Sequence, residues 1–402
     1  MRSDNYKLTF VGCFFGLFSQ AIITNLTAIL FVPFMNLYGF DVWHLGVLVG
    51  VNFFAQLIAD VVLTIIVDRI DYRLPIQIAQ ILSAVGLILF ALVPFIFAGN
   101  EFIGFLIATV IFAFSGGMQE VIISPMVDAF PESKSKSFMM SVLHSFYAWG
   151  QAIAVVVTAV YLVIVPHEFW YYIALFWSIL PIIGLIIFCI CPVSKRKVVK
   201  SEQKKAIINP TMILCLIAIF LGGGTEIFAN QYVSTFCVLA LDFPKHIADL
   251  VGMGLFAACM GIGRIVFAKL SVKISMSRIL VITSALSFAL YMIAGLSPLP
   301  VVSLIAVILC GFSVAVLWPG VLTVAGDKFP MAGALIFALL AISGDLGGSL
   351  IPTVMGFVAN ESNLGLAFTL GAIIPLSCFI CHVIIAVLGK NKKSNAQVAQ
   401  KE

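Results

Sequence analysis

Charged side chains are scarce in this chain of 402 residues: only 10% are Asp, Glu, Lys or Arg, whereas 62% are hydrophobic. The mean hydropathy is +1.16. A soluble domain of this length cannot bury so much apolar surface. The composition therefore excludes a soluble protein and predicts a polytopic membrane protein.

The signatures of several enzyme classes are also absent. The sequence has no Gly-x-x-x-x-Gly-Lys-Ser/Thr loop, so transport driven directly by ATP is excluded. It also has no His/Glu pair at the helical spacing of a metal site. The nine cysteines fall in apolar runs, and we interpret them as small buried hydrophobes. No polar segment is long enough for a catalytic domain, so we expect neither an enzyme nor a cofactor.

Twelve apolar runs are long enough to span a bilayer, which predicts an all-α membrane protein with 12 transmembrane helices. One long polar stretch, Val193–Asn209, carries six Lys or Arg residues against a single Glu. It divides the chain into an N-terminal six-helix half (1–192), a basic linker (193–209) and a C-terminal six-helix half (210–402). The predicted spans are 8–32, 43–67, 75–97, 102–129, 138–165, 170–191, 211–240, 248–271, 279–297, 300–326, 332–358 and 364–389.

The basic residues are distributed asymmetrically. Of the 22 Lys and Arg residues, 20 fall in the two termini, the linker and the loops on that same side. Cytoplasmic loops carry such an excess, so both termini and the linker are predicted to be cytoplasmic in a plasma (inner) membrane. The bias accounts for the formal charge of +4 without a nucleic-acid partner, and we expect a monomer in the lipid bilayer.

The two halves repeat one another in sequence. Gly117 to Pro125 of span 4 parallels Gly311 to Pro319 of span 10, and Asp60 of span 2 occupies the same place as Arg264 of span 8. Parallel repeats of this kind are typical of secondary transporters. Further matched pairs are Gln20 with Glu226, Asn25 with Gln231, and Gln151 with Asp345.

The arrangement of six plus six spans, a basic linker and parallel repeats resembles the major facilitator superfamily. The loop after span 2, Asp68-Arg-Ile-Asp-Tyr-Arg73, is similar to that superfamily's Asp-Arg-x-Gly-Arg-Arg signature. The resemblance implies the major facilitator fold of two six-helix repeats around a central cavity.

Within the superfamily, the chain resembles the fucose-permease-like sugar:proton symporters. Five short motifs carry this resemblance: Asn25–Leu30, Gly117–Glu120, Leu143–Gly150, Gly261–Arg264 and Pro352–Val358. It implies sugar transport and symport.

The same resemblance implies roles for individual residues. Glu120 would be a proton- or substrate-linked carboxylate, and Gln119 belongs to the same motif. His144 and Tyr147 stand where that family places amide side chains against the sugar, and Arg264 stands at its membrane arginine. The family's proton-linked aspartate in span 1 is Ala28 here. Coupling to protons would therefore use Glu120 or another acid, and an uncoupled facilitator stays open.

Glu120 is also the foremost candidate from the residues alone. At about 1.5 Å per residue it lies roughly 15 Å deep, near the middle of the hydrocarbon layer. An ionisable group at that depth is expected to face a protein interior or a water-filled cavity, and burial disfavours its charged form, which suits a proton carrier. A purely structural carboxylate, satisfied by a neighbouring helix, is the alternative. The proton-coupling candidates are Glu120, Glu226, Asp345 and Asp60.

Asp60 and Arg264 lie at a similar depth near the cytoplasmic face. They are predicted to pair as an inner gate between the halves, unless Arg264 holds an anionic substrate group, the two residues form a static ion pair, or they snorkel to the membrane interface.

A polar and partly aromatic stripe runs along span 5. His144, Tyr147 and Gln151 share one helix face, and such a stripe suits the hydroxyls and apolar ring faces of a sugar. The alternative is that membrane amides only join helices. The substrate-binding candidates are Gln20, Asn25, Gln119, His144, Tyr147, Gln151, Asn230, Gln231, Arg264 and Trp318.

These observations predict a secondary transporter that works by alternating access and imports a sugar-like solute with protons. One alternative is a proton-coupled efflux antiporter, although Gly150–Ala159 of span 5 lacks the Pro-containing motif that is usual in exporters. Another is a membrane sensor on a transporter fold, but residues 390–402 are short for a signalling tail.

Overall fold

The computed structural model describes residues 6–66, 71–128, 136–193, 209–329, 333–361 and 363–399, and these residues form helices without a β-strand. The twelve predicted spans are confirmed. Eleven of them contain a stretch that is long and apolar enough to cross a membrane, and α5 contributes a shorter one, Trp149–Ile164. The helices are α1 (Tyr6–Tyr38), α2 (Val42–Ile66), α3 (Arg73–Ile96), α4 (Glu101–Asp128), α5 (Lys136–Ile164), α6 (Tyr171–Ile190), α7 (Pro210–Leu239), α8 (Lys245–Ile247, Ala248–Met253 and Gly254–Leu270), α9 (Met276–Leu296), α10 (Pro300–Val314 and Leu317–Lys328), α11 (Gly333–Glu361) and α12 (Leu364–Gly371 and Ile373–Ala399). The chain is a multi-pass integral membrane protein.

Prolines explain the interruptions in α10 and α12. A proline has no N–H, and its ring clashes with the carbonyl group four residues earlier. In α10, the carbonyl group four residues before Pro319 belongs to Ala315, which follows the first segment of the helix. In α12, the carbonyl group four residues before Pro375 belongs to Gly371, where the first segment ends. The interruption in α8 differs, because its segment Ala248–Met253 is a π-helix.

Each half of the chain packs extensively within itself. In the N-terminal half (α1–α6), α3 packs against α4 and α6, and α1 packs against α5 and α6. In the C-terminal half (α7–α12), α9 packs against α10 and α12, and α7 packs against α11 and α12.

Three pairs of helices join the two halves: α2 with α11, α5 with α8, and α1 with α7. The end of the bundle that holds the α1–α2 and α7–α8 loops is called the outer end below, because the distribution of basic residues predicts that it faces away from the cytoplasm.

The contact between α2 and α11 is closed at the outer end. The Ser349 hydroxyl donates to the Gly50 carbonyl at 2.8 Å, and the Thr353 hydroxyl donates to the Gly46 carbonyl at 3.0 Å. A Cβ atom at Gly46 would meet the Cα atom of Gly356 at 3.2 Å, so the two backbones touch there. We call this contact, from Gly46 and Gly356 inward, the outer seam.

The first half of the signature loop after span 2, residues 68–70, lies outside the described residues, and its second half, residues 71–73, is described. Arg73 donates to the carbonyls of Phe188, Cys189 and Cys191 at 3.0, 3.3 and 2.6 Å. These bonds satisfy carbonyl groups that the end of α6 leaves free. Arg73 thus fixes the start of α3 to the end of α6.

Candidate functional site

A layer of amide side chains crosses the interface between the halves. Gln151 of α5 donates to Asn230 of α7 at 2.7 Å, and Asn230 donates to Asn25 of α1 at 2.8 Å. Gln231 of α7 donates to the backbone carbonyl of Thr24 at 3.1 Å. All five residues are buried. We call them the amide layer; in this conformation its bonds hold α1, α5 and α7 together.

A second layer, rich in charge, lies one to two helical turns further from the outer end. Gln20 of α1 donates to the Glu120 carboxylate of α4 at 3.1 Å. Arg264 of α8 forms a salt bridge with Glu226 of α7 at 3.2 Å. Tyr147 of α5 contacts Thr24 and lies within electrostatic range of both acids and of Arg264. We call Gln20, Glu120, Tyr147, Glu226 and Arg264 the charged layer.

The two layers differ in their accessibility. Asn25 and Gln151 have no exposed surface, whereas the side chain of Arg264 is 27% exposed. Glu120 and Tyr147 are also partly accessible. The outer seam is closed, so this conformation is closed at its outer end between α2 and α11, and the charged layer is the more accessible of the two layers.

Several polar atoms of both layers are buried without a hydrogen-bond partner among the described residues. They are Oε1 of Gln151, Oε1 of Gln231, Oε2 of Glu226 and Nε of Arg264. Buried polar groups are normally paired, so unpaired ones in a transporter-like interface are available to a ligand. The arrangement can accept hydroxyl donors and can also donate to an oxygen.

The predicted pairing of Asp60 with Arg264 is wrong for this conformation, because Arg264 pairs with Glu226. Asp60 of α2 faces Asp345 of α11 instead, and the two carboxyl groups lie within hydrogen-bonding reach of each other. The reason is the packing of the helices: α2 meets α11, whereas α8 meets α5. Equivalent positions of the two repeats therefore need not meet.

Three other predicted substrate residues differ in their placement. Gln119 faces away from the interface, since it donates to Ser83 at 2.9 Å and accepts from Gln80 at 3.2 Å within the N-terminal half. The ring of Trp318 packs between Gly223 of α7 and Gly344 of α11. His144 belongs to α5, but its side chain lies outside the described part of the structure.

One buried ionic cluster was not predicted as a site. Lys245 and Asp249 of α8 form a salt bridge, and the Ser234 hydroxyl of α7 donates to Asp249 at 2.5 Å. The spacing of four residues between Lys245 and Asp249 was a readable signal for an ion pair on one helix face. The partner on α7 could not be read from the sequence, because it depends on how α7 and α8 pack.

Comparisons with known proteins agree with this architecture. The fucose:proton symporter FucP of E. coli is 18% identical, with a TM-score of 0.66 over 96% of this chain and 99% of that chain. A second FucP structure, in the outward conformation, gives the same values. The nucleoside transporter NupG is 13% identical, with a TM-score of 0.74 over 95% of this chain and 100% of that chain. At these identities the likeness concerns the fold.

The family membership of the chain follows from its sequence. None of the curated proteins matches it significantly. A model of the Major Facilitator Superfamily matches residues 13–352, which is most of the chain. The protein is thus a membrane transporter and not an enzyme, and it belongs to the Major Facilitator Superfamily.

Proposed function

We propose that the protein imports a sugar or a similar polyhydroxylated solute together with protons, by alternating access between two six-helix halves. The observation that carries this proposal is the stack of the amide layer and the charged layer at the interface of the halves. Amide oxygens and nitrogens both accept and donate, as the hydroxyl groups of a sugar do. Tyr147 offers an aromatic face beside them.

Glu120 is the residue that we assign to link protons with solute. Its carboxylate lies in the membrane-spanning part of α4, is partly accessible and receives a hydrogen bond from Gln20. Glu120 also lies within electrostatic range of Tyr147. An acid at this depth is stable when protonated or paired, so solute that engages Gln20 or Tyr147 changes the cost of its charge.

The proposal includes the setting of the transporter. The halves 1–192 and 210–402 rock against each other, joined by the basic linker 193–209 on the cytoplasmic side. The protein acts as a monomer in the plasma (inner) membrane with both termini in the cytoplasm. The outer-closed conformation described above is then the one that faces the cytoplasm.

A second candidate substrate is a sugar acid. Arg264 keeps its Nε atom unpaired while it binds Glu226 through another nitrogen. A guanidinium group with a free N–H can hold a carboxylate. The solute would then carry one anionic group in addition to its hydroxyls.

The test is a thermal-shift screen of the purified protein against neutral sugars, sugar acids and lipophilic cations at two pH values. Neutral sugars are expected to raise the melting temperature, because a ligand that binds only the folded state stabilises it. Asn230→Ala should abolish the shift, whereas Asn100→Ala, in an exposed loop, should keep it. A shift with sugar acids alone would favour the second candidate, and a shift with lipophilic cations alone would replace import by efflux.

A further inference from the structure

The outer seam ends inward at two facing carboxyl groups. From Gly46 and Gly356 the contact of α2 with α11 continues through Gly50 and Ser349. One to two turns beyond Phe53, which packs near Gly348, Asp60 meets Asp345. The pair therefore connects the two halves directly and is formed only while α2 and α11 are in contact.

Both acids are buried, and three of their four carboxyl oxygens lack a hydrogen-bond partner among the described residues. Asp60 and Asp345 are each 2% exposed. Neither oxygen of Asp60, nor Oδ2 of Asp345, has a hydrogen-bond partner among the described residues. A carboxylate oxygen only accepts hydrogen bonds, so two ionised carboxylates in contact cannot bond to each other. A single proton between them supplies the missing donor.

The charges around the pair reinforce this need. Glu120 of α4 lies within electrostatic range of both acids. Gly117 lets α4 approach, since a Cβ atom there would lie 2.9 Å from Oδ1 of Asp60. Arg264, the cation of the charged layer, is paired with Glu226. Like charges this close disfavour double ionisation, as in other carboxyl pairs that share one proton.

We propose that Asp60 and Asp345 form one shared-proton site between the halves, which takes up a proton when the outer seam closes and releases it to water when the seam opens. The closed pair holds one proton and one negative charge, and the open pair holds two negative charges. This inference deepens the proposed function, but it rests only on the opening and closing of the seam and not on the identity of the solute.

The experiment measures the width of the seam directly. Spin labels are attached at Asp41→Cys, before α2, and Asn360→Cys, near the end of α11, both exposed at the outer end. The accessible native thiols, Cys189, Cys259 and Cys381, are first replaced by serine. The distance between the labels is then followed from pH 5.5 to pH 8.5 by electron paramagnetic resonance, in sodium and in choline buffer without solute.

In the parent protein, the ratio of open to closed seam should rise with pH by up to about tenfold per pH unit, the limit for one proton. In Asp60→Asn and in Asp345→Asn the amide donates the missing hydrogen bond. The ratio should then stay within about twofold over the same range, because no proton is needed for closure.

Glu120→Gln is the matched control. It removes a neighbouring, partly accessible acid by the same chemical change and should keep the slope of the seam's pH response, since the pair that shares the proton is intact. A pH response that survives in both Asp variants, judged folded by their gel-filtration profile, would overturn the shared-proton site. A response that follows sodium and not pH would overturn it as well.

Discussion

At the scale of single residues, the charged layer of the candidate site contains the ion pair of Arg264 with Glu226 at 3.2 Å. The two residues lie on α8 and α7, and Glu226 is 7% exposed. Removing one partner of a buried pair leaves a charge without compensation, which costs about 3–5 kcal/mol in a fully buried site. The 27% exposure of the Arg264 side chain reduces this cost, because water solvates part of the guanidinium.

We therefore expect Glu226→Gln and Arg264→Gln each to lower the melting temperature by several degrees. The double variant should regain most of the loss, since neither charge is then left alone. Thermal unfolding of all four proteins forms a double-mutant cycle that measures the coupling. Losses that simply add in the double variant would mean that the pair is not a unit.

The sequence identified many residues of the site by their chemistry and depth. Glu120, Asn25 and Asn230 are polar groups in apolar spans, and the structure brings them to the interface of the halves. The sequence-based prediction failed for Gln119. Consecutive residues of a helix point about 100° apart, so only one of Gln119 and Glu120 can face the interface. The pairing of Asp60 with Asp345 was out of reach, because residue type alone does not tell which helices cross.

At the scale of helices, glycines decide whether the outer seam can close. A Cβ atom at Gly50 would lie 3.2 Å from the Ser349 carbonyl oxygen and closer still to the Thr353 hydroxyl. The Ser349 oxygen belongs to the backbone of α11, so it cannot move unless the helix moves. Small residues permit such close packing of membrane helices.

Gly50→Leu is accordingly expected to hold α2 and α11 apart and to favour the outer-open state at every pH. Solute uptake should fall more than about tenfold, since a bias of ~1.4 kcal/mol already changes a population tenfold. The label distance between positions 41 and 360 should lengthen. Gly261→Leu is the matched control, because no atom lies within 4 Å of a Cβ atom at Gly261. Equal effects of the two substitutions would contradict a role for the seam.

The helices themselves were largely predictable, because a membrane requires long apolar runs with satisfied backbones. The ends were less so: α1 continues to Tyr38 where the predicted span ends at 32, and α8 begins at Lys245 where the predicted span begins at 248. The extension of α1 includes Pro33 and Asn36, and that of α8 includes Lys245 and His246, residues of the kind that hydropathy assigns to loops. The π segment Ala248–Met253 has no composition that marks it.

At the scale of the whole molecule, the proposed mechanism combines a solute site with two kinds of acid. Glu120 of the charged layer is proposed to tie protons to solute, and Asp60 with Asp345 is proposed to tie a proton to the outer seam. The electrostatic proximity of Glu120 to both Asp residues links the two. Binding of solute, binding of a proton and closure of the outer seam would then each favour the other two. Coupling between sites requires such mutual effects.

The separate roles proposed for Glu120 and for the Asp60–Asp345 pair predict different losses of function in their variants. Glu120→Gln should lose accumulation of solute against its gradient but keep solute exchange and the pH response of the seam. Asp60→Asn should lose the pH response of the seam. An identical phenotype in the two variants would contradict the assignment of separate roles.

Proton-coupled import is tested by recording proton movement during solute uptake in proteoliposomes. The solute that the thermal-shift screen identifies is added to a weakly buffered suspension, and the external pH is recorded. If Glu120 couples protons to solute, the medium turns alkaline as solute enters, and Glu120→Gln abolishes this change while solute counterflow continues. Alkalinisation and accumulation by Glu120→Gln at the level of the parent protein would rule out coupling through Glu120.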